Sequence, residues 1–296
     1  MRKYGIVCRS SVFLFTEDLQ EVTDEILMGW AVEIVEEELS IREQNYVRVL
    51  THYGYEGYVD RAALKVVSEE ELRFRDKSDS LWVIRSAFAD ILEKPDVCSR
   101  IQTTLGRGSF VTKTAEGENG YIQVKTDEGI SGYLPKIHMF RRRDRDEYLY
   151  TDCREDYFLN QTPIKYGSEE AFRKSVTDCA LAYLGTQYRW GGKSSAGLDC
   201  SGLTFLCYQM NGILIYRDAR LMPQYPIQPV DPRQMKKGDL LYFPGHIAMY
   251  LGKGRYIHCT GHRESFGCVC NSLNPEDADY REDLASSILY VGSIFV

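Results

Sequence analysis

The chain has 296 residues, a formal net charge of −7 and 44% hydrophobic residues, enough apolar material for two or three compact domains. That acidity argues against nucleic acid as a partner and against tight adhesion to anionic wall polymers. Arg9 interrupts the short apolar stretch behind Met1-Arg2-Lys3, and no apolar run reaches the ~18 residues of a membrane helix, so neither a signal peptide nor a membrane partner is expected.

The amino-terminal half contains a duplication. A shift that carries Tyr46 onto Tyr121 aligns Tyr46 to Leu64 with Tyr121 to Met139, with identities at Tyr46/Tyr121, Val49/Val124, Thr51/Thr126, Gly54/Gly129, Gly57/Gly132 and Tyr58/Tyr133. Short alternating strands broken by glycine turns predict a small β-barrel in each copy, over 1–67 and 78–142. The charged stretch Ser68 to Ser80 is expected to link the copies. The mixed-charge run from Arg141 to Glu147 is expected to begin a solvated connector to the rest of the chain. Tyr58, kept in both copies, reads as a core aromatic. Tyr55 stands where the second copy has Ile130, so it is released from the shared structural role and is a candidate for a separate task.

Further on, Tyr188, Trp190, Gly191-Gly192, Ser194-Ser195 and Gly197 form an irregular approach to Asp199-Cys200-Ser201-Gly202. From Cys200 the apolar positions Leu203, Leu206, Cys207 and Met210 fall on one helix face, and Asn211-Gly212 is a stop, so a helix starting at Cys200 is predicted. A thiol there meets unpaired N–H groups and the positive end of the helix dipole, which lower its pKa from about 8.5 and favour a thiolate. Asp199 has two open roles. It can be a structural N-cap, or, because its charge opposes a neighbouring thiolate, it can be there to hold a cation such as a substrate amine.

After Lys237-Gly238-Asp239, Leu240 to Phe243 reads as a buried strand, and His246 to Leu251 and Arg255 to Thr260 read as a hairpin. A three-residue turn over 251–253 would set Tyr250 opposite Gly254, Ala248 opposite Tyr256 and His246 opposite His258. Directly opposed residues have Cβ atoms about 4.5–5.5 Å apart, so one imidazole would orient the other. Two satisfied core histidines, or a zinc site using His258 and His262 with Cys259, Cys268 or Cys270, are the alternatives. The cysteine spacing fits zinc poorly, and no metal or organic cofactor is expected. Nine cysteines in all, an odd number without paired spacing, suit a reducing cytosol, and a cytoplasmic location is expected.

Taken in order, Tyr188-Arg189-Trp190-Gly191-Gly192, Asp199-Cys200-Ser201-Gly202, Lys237-Gly238-Asp239-Leu240, Gly245-His246 to Gly252 and Tyr256-Ile257-His258 resemble the NlpC family of papain-like cell-wall peptidases. The resemblance implies an α+β fold, with a papain-like cysteine peptidase domain over 165–296 preceded by two bacterial SH3-like barrels. It makes Cys200 the nucleophile, His246 the general base and acid, and His258 its orienter. Tyr188 is either an aid to the oxyanion site or a packed aromatic. The longer run through Arg217-Asp218-Ala219 is similar to the γ-D-glutamyl-L-diamino acid endopeptidases, which act on short murein peptides with a free amino-terminal L-alanine. In that subgroup Asp199, Ser201 and a tyrosine of the first barrel, here Tyr55, would recognise the amine. Arg217 would contact a substrate carboxylate or simply be solvated. A murein peptide is thus the implied substrate, in peptidoglycan recycling. The alternative is a wall-binding hydrolase acting on intact peptidoglycan stems.

Overall fold

The computed structural model describes residues 2–41, 44–163 and 167–295, so the expected domain edges at 1, 165 and 296 lie outside the described residues. No helix among the described residues is long and apolar enough to cross a membrane, and all nine cysteines are free thiols. The chain divides into two compact units, Met1–Asp152 and Cys153–Val296.

The first unit holds two antiparallel sheets of seven strands. β1 (Lys3–Val7), β2 (Ser11–Phe15), β3 (Val22–Leu27), β4 (Ala31–Ile41), β5 (Gln44–Thr51), β6 (Glu56–Asp60) and β7 (Leu64–Val67) lie in the order β3-β2-β6-β5-β4-β1-β7. After helix α1 (Glu69–Lys77), β8 (Leu81–Ile84), β9 (Phe88–Leu92), β10 (Ile101–Gly106), β11 (Phe110–Glu116), β12 (Tyr121–Lys125), β13 (Ser131–Pro135) and β14 (Met139–Arg141) repeat that order as β10-β9-β13-β12-β11-β8-β14. The duplicated residues build the same turn twice. The Thr51 hydroxyl accepts from Tyr55 N at 2.9 Å and the Thr126 hydroxyl from Ile130 N at 3.1 Å, while Gly54 and Gly129 take positive φ angles that glycine tolerates. The sheets are joined by Trp30 Nε1, which donates to Gly108 O, and by Phe110 N, which donates to Met28 O. Met28 itself sits in the apolar core of the second sheet with Ile84, Ile91 and Val111.

Of the two charged segments, the first runs between the copies as expected but as a helix, and the second is a correction. The stretch after Ser68 is no bare linker: Ser68 and Glu71 form a reciprocal capping box that starts α1, and Leu72 and Asp76 are buried. The run from Arg141 is not a solvated connector either. Arg142 makes paired bonds to Asp146 at 2.7 Å and to Asp144 at 3.1 Å, and all three are buried together with Asp76. The alternation of the run puts Arg142, Asp144 and Asp146 on one side, where opposite charges satisfy one another, and α2 (Glu147–Tyr150) follows directly. Tyr150 closes the cluster by donating to Asp76 at 2.7 Å.

The second unit contains α3 (Glu169–Leu181), the two-stranded β15 (Lys193–Ser194) and β16 (Gly197–Leu198), and α4 (Cys200–Met210). It continues with β17 (Gln228–Val230), β18 (Leu240–Phe243), β19 (His246–Gly252), β20 (Arg255–Thr260), β21 (Gly267–Ser272), α5 (Glu282–Ala285) and β22 (Tyr290–Ser293). Six strands form one antiparallel sheet in the order β17-β22-β18-β19-β20-β21. Every residue of α4 is buried, and the helix packs on β19, β20, α3 and β15. A helix with apolar or small residues all round belongs in the middle of a core. Its start, rather than its flank, is what reaches the site.

Candidate active site

The chain enters α4 as the sequence predicts. Asp199 is the N-cap, its side chain accepting from Gly202 N at 2.6 Å, and Cys200 is the first helical residue. Glycine is required at 202, because a Cβ there would lie 2.1 Å from Gly192 O. The approach strand and the helix start are therefore in backbone contact. Tyr188 pairs with Leu198 and Gln187 with Gly267, which ties this approach to β21.

Cys200 is almost fully buried. Burial and then Asp199 push its thiol up to about 11, against the smaller opposing pull of the Ile247 and Ser201 backbone N–H groups and of Arg217. The expectation of a lowered thiol pKa is thus overturned for the free protein: the helix end is present, but desolvation outweighs it. Tyr188 is near enough to feel both Cys200 and Asp199. Its phenol is held protonated by burial and by these two groups, so it is available as a donor.

Asp199 already has its cation. Arg217, 1% exposed, donates to Asp199 Oδ1 at 3.1 Å and Oδ2 at 3.0 Å, to Ser201 Oγ at 2.8 Å and to Gly191 O at 3.0 Å. The exposed or substrate-facing arginine expected at 217 is corrected to a buried structural partner. It resolves the puzzle of an acid beside a nucleophile by pairing the acid internally. Ser201 Oγ also donates to Asp199 Oδ1 at 3.2 Å, and Gly191 N donates to Oδ2 at 2.9 Å. Tyr55 belongs to the first unit, where its hydroxyl reaches Thr23 O at 3.5 Å.

The hairpin bearing the histidines has a different register from the one expected. Lys253 and Gly254 both have positive φ and form a two-residue turn that pairs Gly252 with Arg255, and an irregularity at Leu251 then sets Tyr250 opposite Tyr256 and Met249 opposite Ile257. Carried along, this register puts His246 opposite Thr260 rather than His258. The shift is two residues, which preserves the face. His246 and His258 become diagonal neighbours, and their rings still meet, with His246 Nε2 at 2.7 Å from His258 Nδ1. On its other side His258 Nε2 lies 2.9 Å from Asn271 Oδ1, and Asn271 Nδ2 donates to Asp279 O at 2.7 Å. Asn271, on β21, was missed in the sequence. Its only signal is the pairing of β21 with β20, which the sequence does not announce.

Burial and the proximity of His258 push His246 down to about 3, and burial pushes His258 down to about 4 against the hydrogen bond to Asn271. Both rings are neutral at pH 7. No set of three or more His, Cys, Asp or Glu side chains among the described residues is placed to hold a metal ion. Cys259 instead directs its thiol at Leu198 O, 3.1 Å away. The arrangement can therefore deliver a neutral thiol, a neutral imidazole to take its proton, and a polar chain that holds the imidazole in place.

The NlpC/P60 family model matches residues 185–276. Dipeptidyl-peptidase 6 of Lysinibacillus sphaericus is 37% identical over 285 residues, which span 93% of this chain and 93% of that protein. The γ-D-glutamyl-L-lysine dipeptidyl-peptidase of Bacillus cereus is 39% identical over 84 residues, 26% of this chain and 25% of that protein. A crystal structure of an NlpC/P60 family protein from Bacillus cereus shares the fold with a TM-score of 0.70 at 17% identity, covering 97% of this chain and 98% of that one. The chain belongs to the NlpC/P60 family, and it is a cysteine peptidase.

Proposed function

We propose that the enzyme hydrolyses the γ-D-glutamyl to L-diamino acid bond of short murein peptides with a free amino-terminal L-alanine, recycling wall fragments in the cytoplasm. Cys200 attacks the γ-carbonyl as His246 takes the thiol proton. The developing oxyanion is met by the Cys200 backbone N–H and the Tyr188 hydroxyl. His246 then protonates the leaving amine and afterwards activates the water that releases the acyl group. The observation that carries this reading is the ring-to-ring contact of His246 with His258, on a strand whose next residue, Ile247, turns its backbone N–H to the buried helix-start thiol. The bond cleaved follows the γ-D-glutamyl-L-lysine activity for which the Bacillus cereus relative is named. The two amino-terminal sheets are read as SH3-like modules.

The ammonium of the first residue would meet Ser201 Oγ and the small exposed edge of Asp199, whose side chain is 9% accessible beside Arg217. A charge-assisted hydrogen bond contributes about 1.5–3 kcal/mol. Acetylating the peptide amine should therefore lower kcat/KM at least about tenfold. Mass spectrometry of products from free and N-acetylated L-Ala-γ-D-Glu-diaminopimelate and the lysine analogue, in competition, measures this. Asp199→Asn is a poor companion, because it strands a buried guanidinium; Ser201→Ala is the cleaner one. Equal rates for free and acetylated peptides would overturn the recycling role in favour of action on intact peptidoglycan stems, whose alanine nitrogen is blocked.

A further inference from the structure

We infer that Asn271 is a positioning residue that sets the tautomer of both histidines and so leaves His246 Nδ1, the nitrogen not engaged by His258, unprotonated and able to accept a proton. The inference rests on the reading of Cys200 as nucleophile and His246 as base.

The argument begins at a backbone carbonyl. Asp279 O can only accept, so the Asn271 atom 2.7 Å from it must be the amide nitrogen, and the amide oxygen is turned to His258. An amide oxygen accepts, so His258 must carry its proton on Nε2. Its Nδ1 is then a lone pair. Across the 2.7 Å contact, that lone pair requires the His246 proton on Nε2. The remaining nitrogen, His246 Nδ1, is left as the acceptor. Four groups in series fix one proton placement, and each link is shorter than 3 Å.

Reversing the amide would reverse the chain. With its N–H₂ toward His258, Asn271 would place a lone pair on His258 Nε2, a proton on Nδ1 and a lone pair on His246 Nε2. His246 Nδ1 would then carry hydrogen and could not accept from a thiol. Asn271 is held against that flip by the loop after β21. Asp279, whose carbonyl anchors the amide, is fixed through its own carboxylate by two bonds of 2.6 Å from Arg255. The Asn271 bond also favours charge on His258, in keeping with a chain that must share the positive charge His246 acquires when it takes the thiol proton. His258 is 0% exposed and Asn271 8% exposed, so water does not substitute freely for the lost acceptor.

The test uses the full chain with Asn271→Leu and Asn271→Asp. Leucine removes the acceptor, and aspartate keeps one for His258 Nε2. In wild type, multiple-bond 15N–1H spectra should show Nε2 protonated and Nδ1 unprotonated on both His246 and His258. Asn271→Leu should mix the tautomers at both rings and lower kcat about 10²-fold, with KM changed less than about twofold. Alkylation of Cys200 by iodoacetamide at pH 7 should fall by a similar factor, and Asn271→Asp should recover at least about tenfold of both losses. A wild-type spectrum with His258 protonated on Nδ1 overturns the inference, even if the leucine variant does not fold. So does Asn271→Leu with wild-type 15N shifts and an alkylation rate within about twofold of wild type. Alkylation uses no peptide, so an error in the proposed substrate leaves this outcome untouched. An error in the nucleophile–base assignment shows separately, as alkylation of Cys200 that His246→Ala does not slow.

Discussion

Around Arg142, buried ionisable groups keep their charges, with Asp144 and Asp146 bonded in pairs to one guanidinium. Around His246 they give their charges up, and two imidazoles, His258 buried and His246 half-buried, stand neutral in a chain that ends on the Asn271 amide. Burial is common to both regions, so burial alone decides neither outcome. Burial pushes the Asp144 and Asp146 carboxyls up, but Arg142 together with His52, and for Asp146 also Arg75, outweighs it and both end below the ordinary range. The imidazoles have only neutral groups bonded to them, and desolvation wins. The first arrangement holds a fold together. The second keeps groups one proton away from reaction.

The largest expected effect comes from the neutral region and should appear in rate, not stability. Cys200→Ala should lower turnover of a γ-glutamyl peptide by several powers of ten with an unchanged melting temperature. His246→Ala should come close to it, and His258→Gln should fall less because a glutamine can still accept from His246. If both histidine variants lose little activity, the neutral chain is only core. Next in size is the charged region, where the effect should appear in stability alone. Arg142→Met removes the shared cation of three buried carboxylates, leaving Asp144 to His52 and Asp146 to Arg75, and should cost about 3–5 kcal/mol in denaturant titrations, with kcat per folded molecule unchanged. A matching loss of kcat would erase the distinction between the regions.

The smallest effect is the most discriminating, because acid should attack the two units in different windows. The folded histidines sit below their ordinary value of 6.5, at about 3 and about 4, so below pH 6.5 the unfolded chain binds protons that the folded one does not. Stability of the second unit should fall as pH drops from about 6.5 toward 4. Asp144 and Asp146 sit below 3.8, so their contribution is present above that value and lost only beneath it. Asp76, pushed up by burial and by Asp146, works against them and gains stability on protonation. Hydrogen exchange at pH 5 should therefore loosen β19 to β21 before β8 to β14. Simultaneous loosening would contradict the assignment of neutral and charged states.

The sequence disclosed what depends on local chemistry. The duplicated Thr and Gly positions announced the twin turns, and the apolar spacing after Cys200 announced α4. The alternation of β19 and β20 placed His246 and His258 on one face even though the register was misjudged by two residues, because the different turn and the irregularity at Leu251 add to an even slip that leaves the face intact. What stayed hidden depends on partners distant in the chain. Arg217 lies 18 positions from Asp199 and looks like any loop arginine until the fold brings the two together. Asn271 gains its meaning only from β21 pairing with β20 and from the carbonyl of Asp279. Arg142, Asp144 and Asp146 read as a solvated run because charge composition carries no information about whether the counter-charges close on themselves.

Met28, seated among Ile84, Ile91 and Val111, belongs to one repeat by sequence and to the other by packing. A boundary drawn between the repeats for expression would remove that side chain from the second sheet and leave a hole its own residues cannot fill. Emptying a buried methionine site costs about 2–5 kcal/mol, a large share of what a small domain has to lose. The second repeat produced alone should thus be sticky and protease-sensitive, while 1–152 produced whole should melt in a single transition. Duplication supplied two copies of a sheet, yet the interlocked side chain makes them inseparable as folding units.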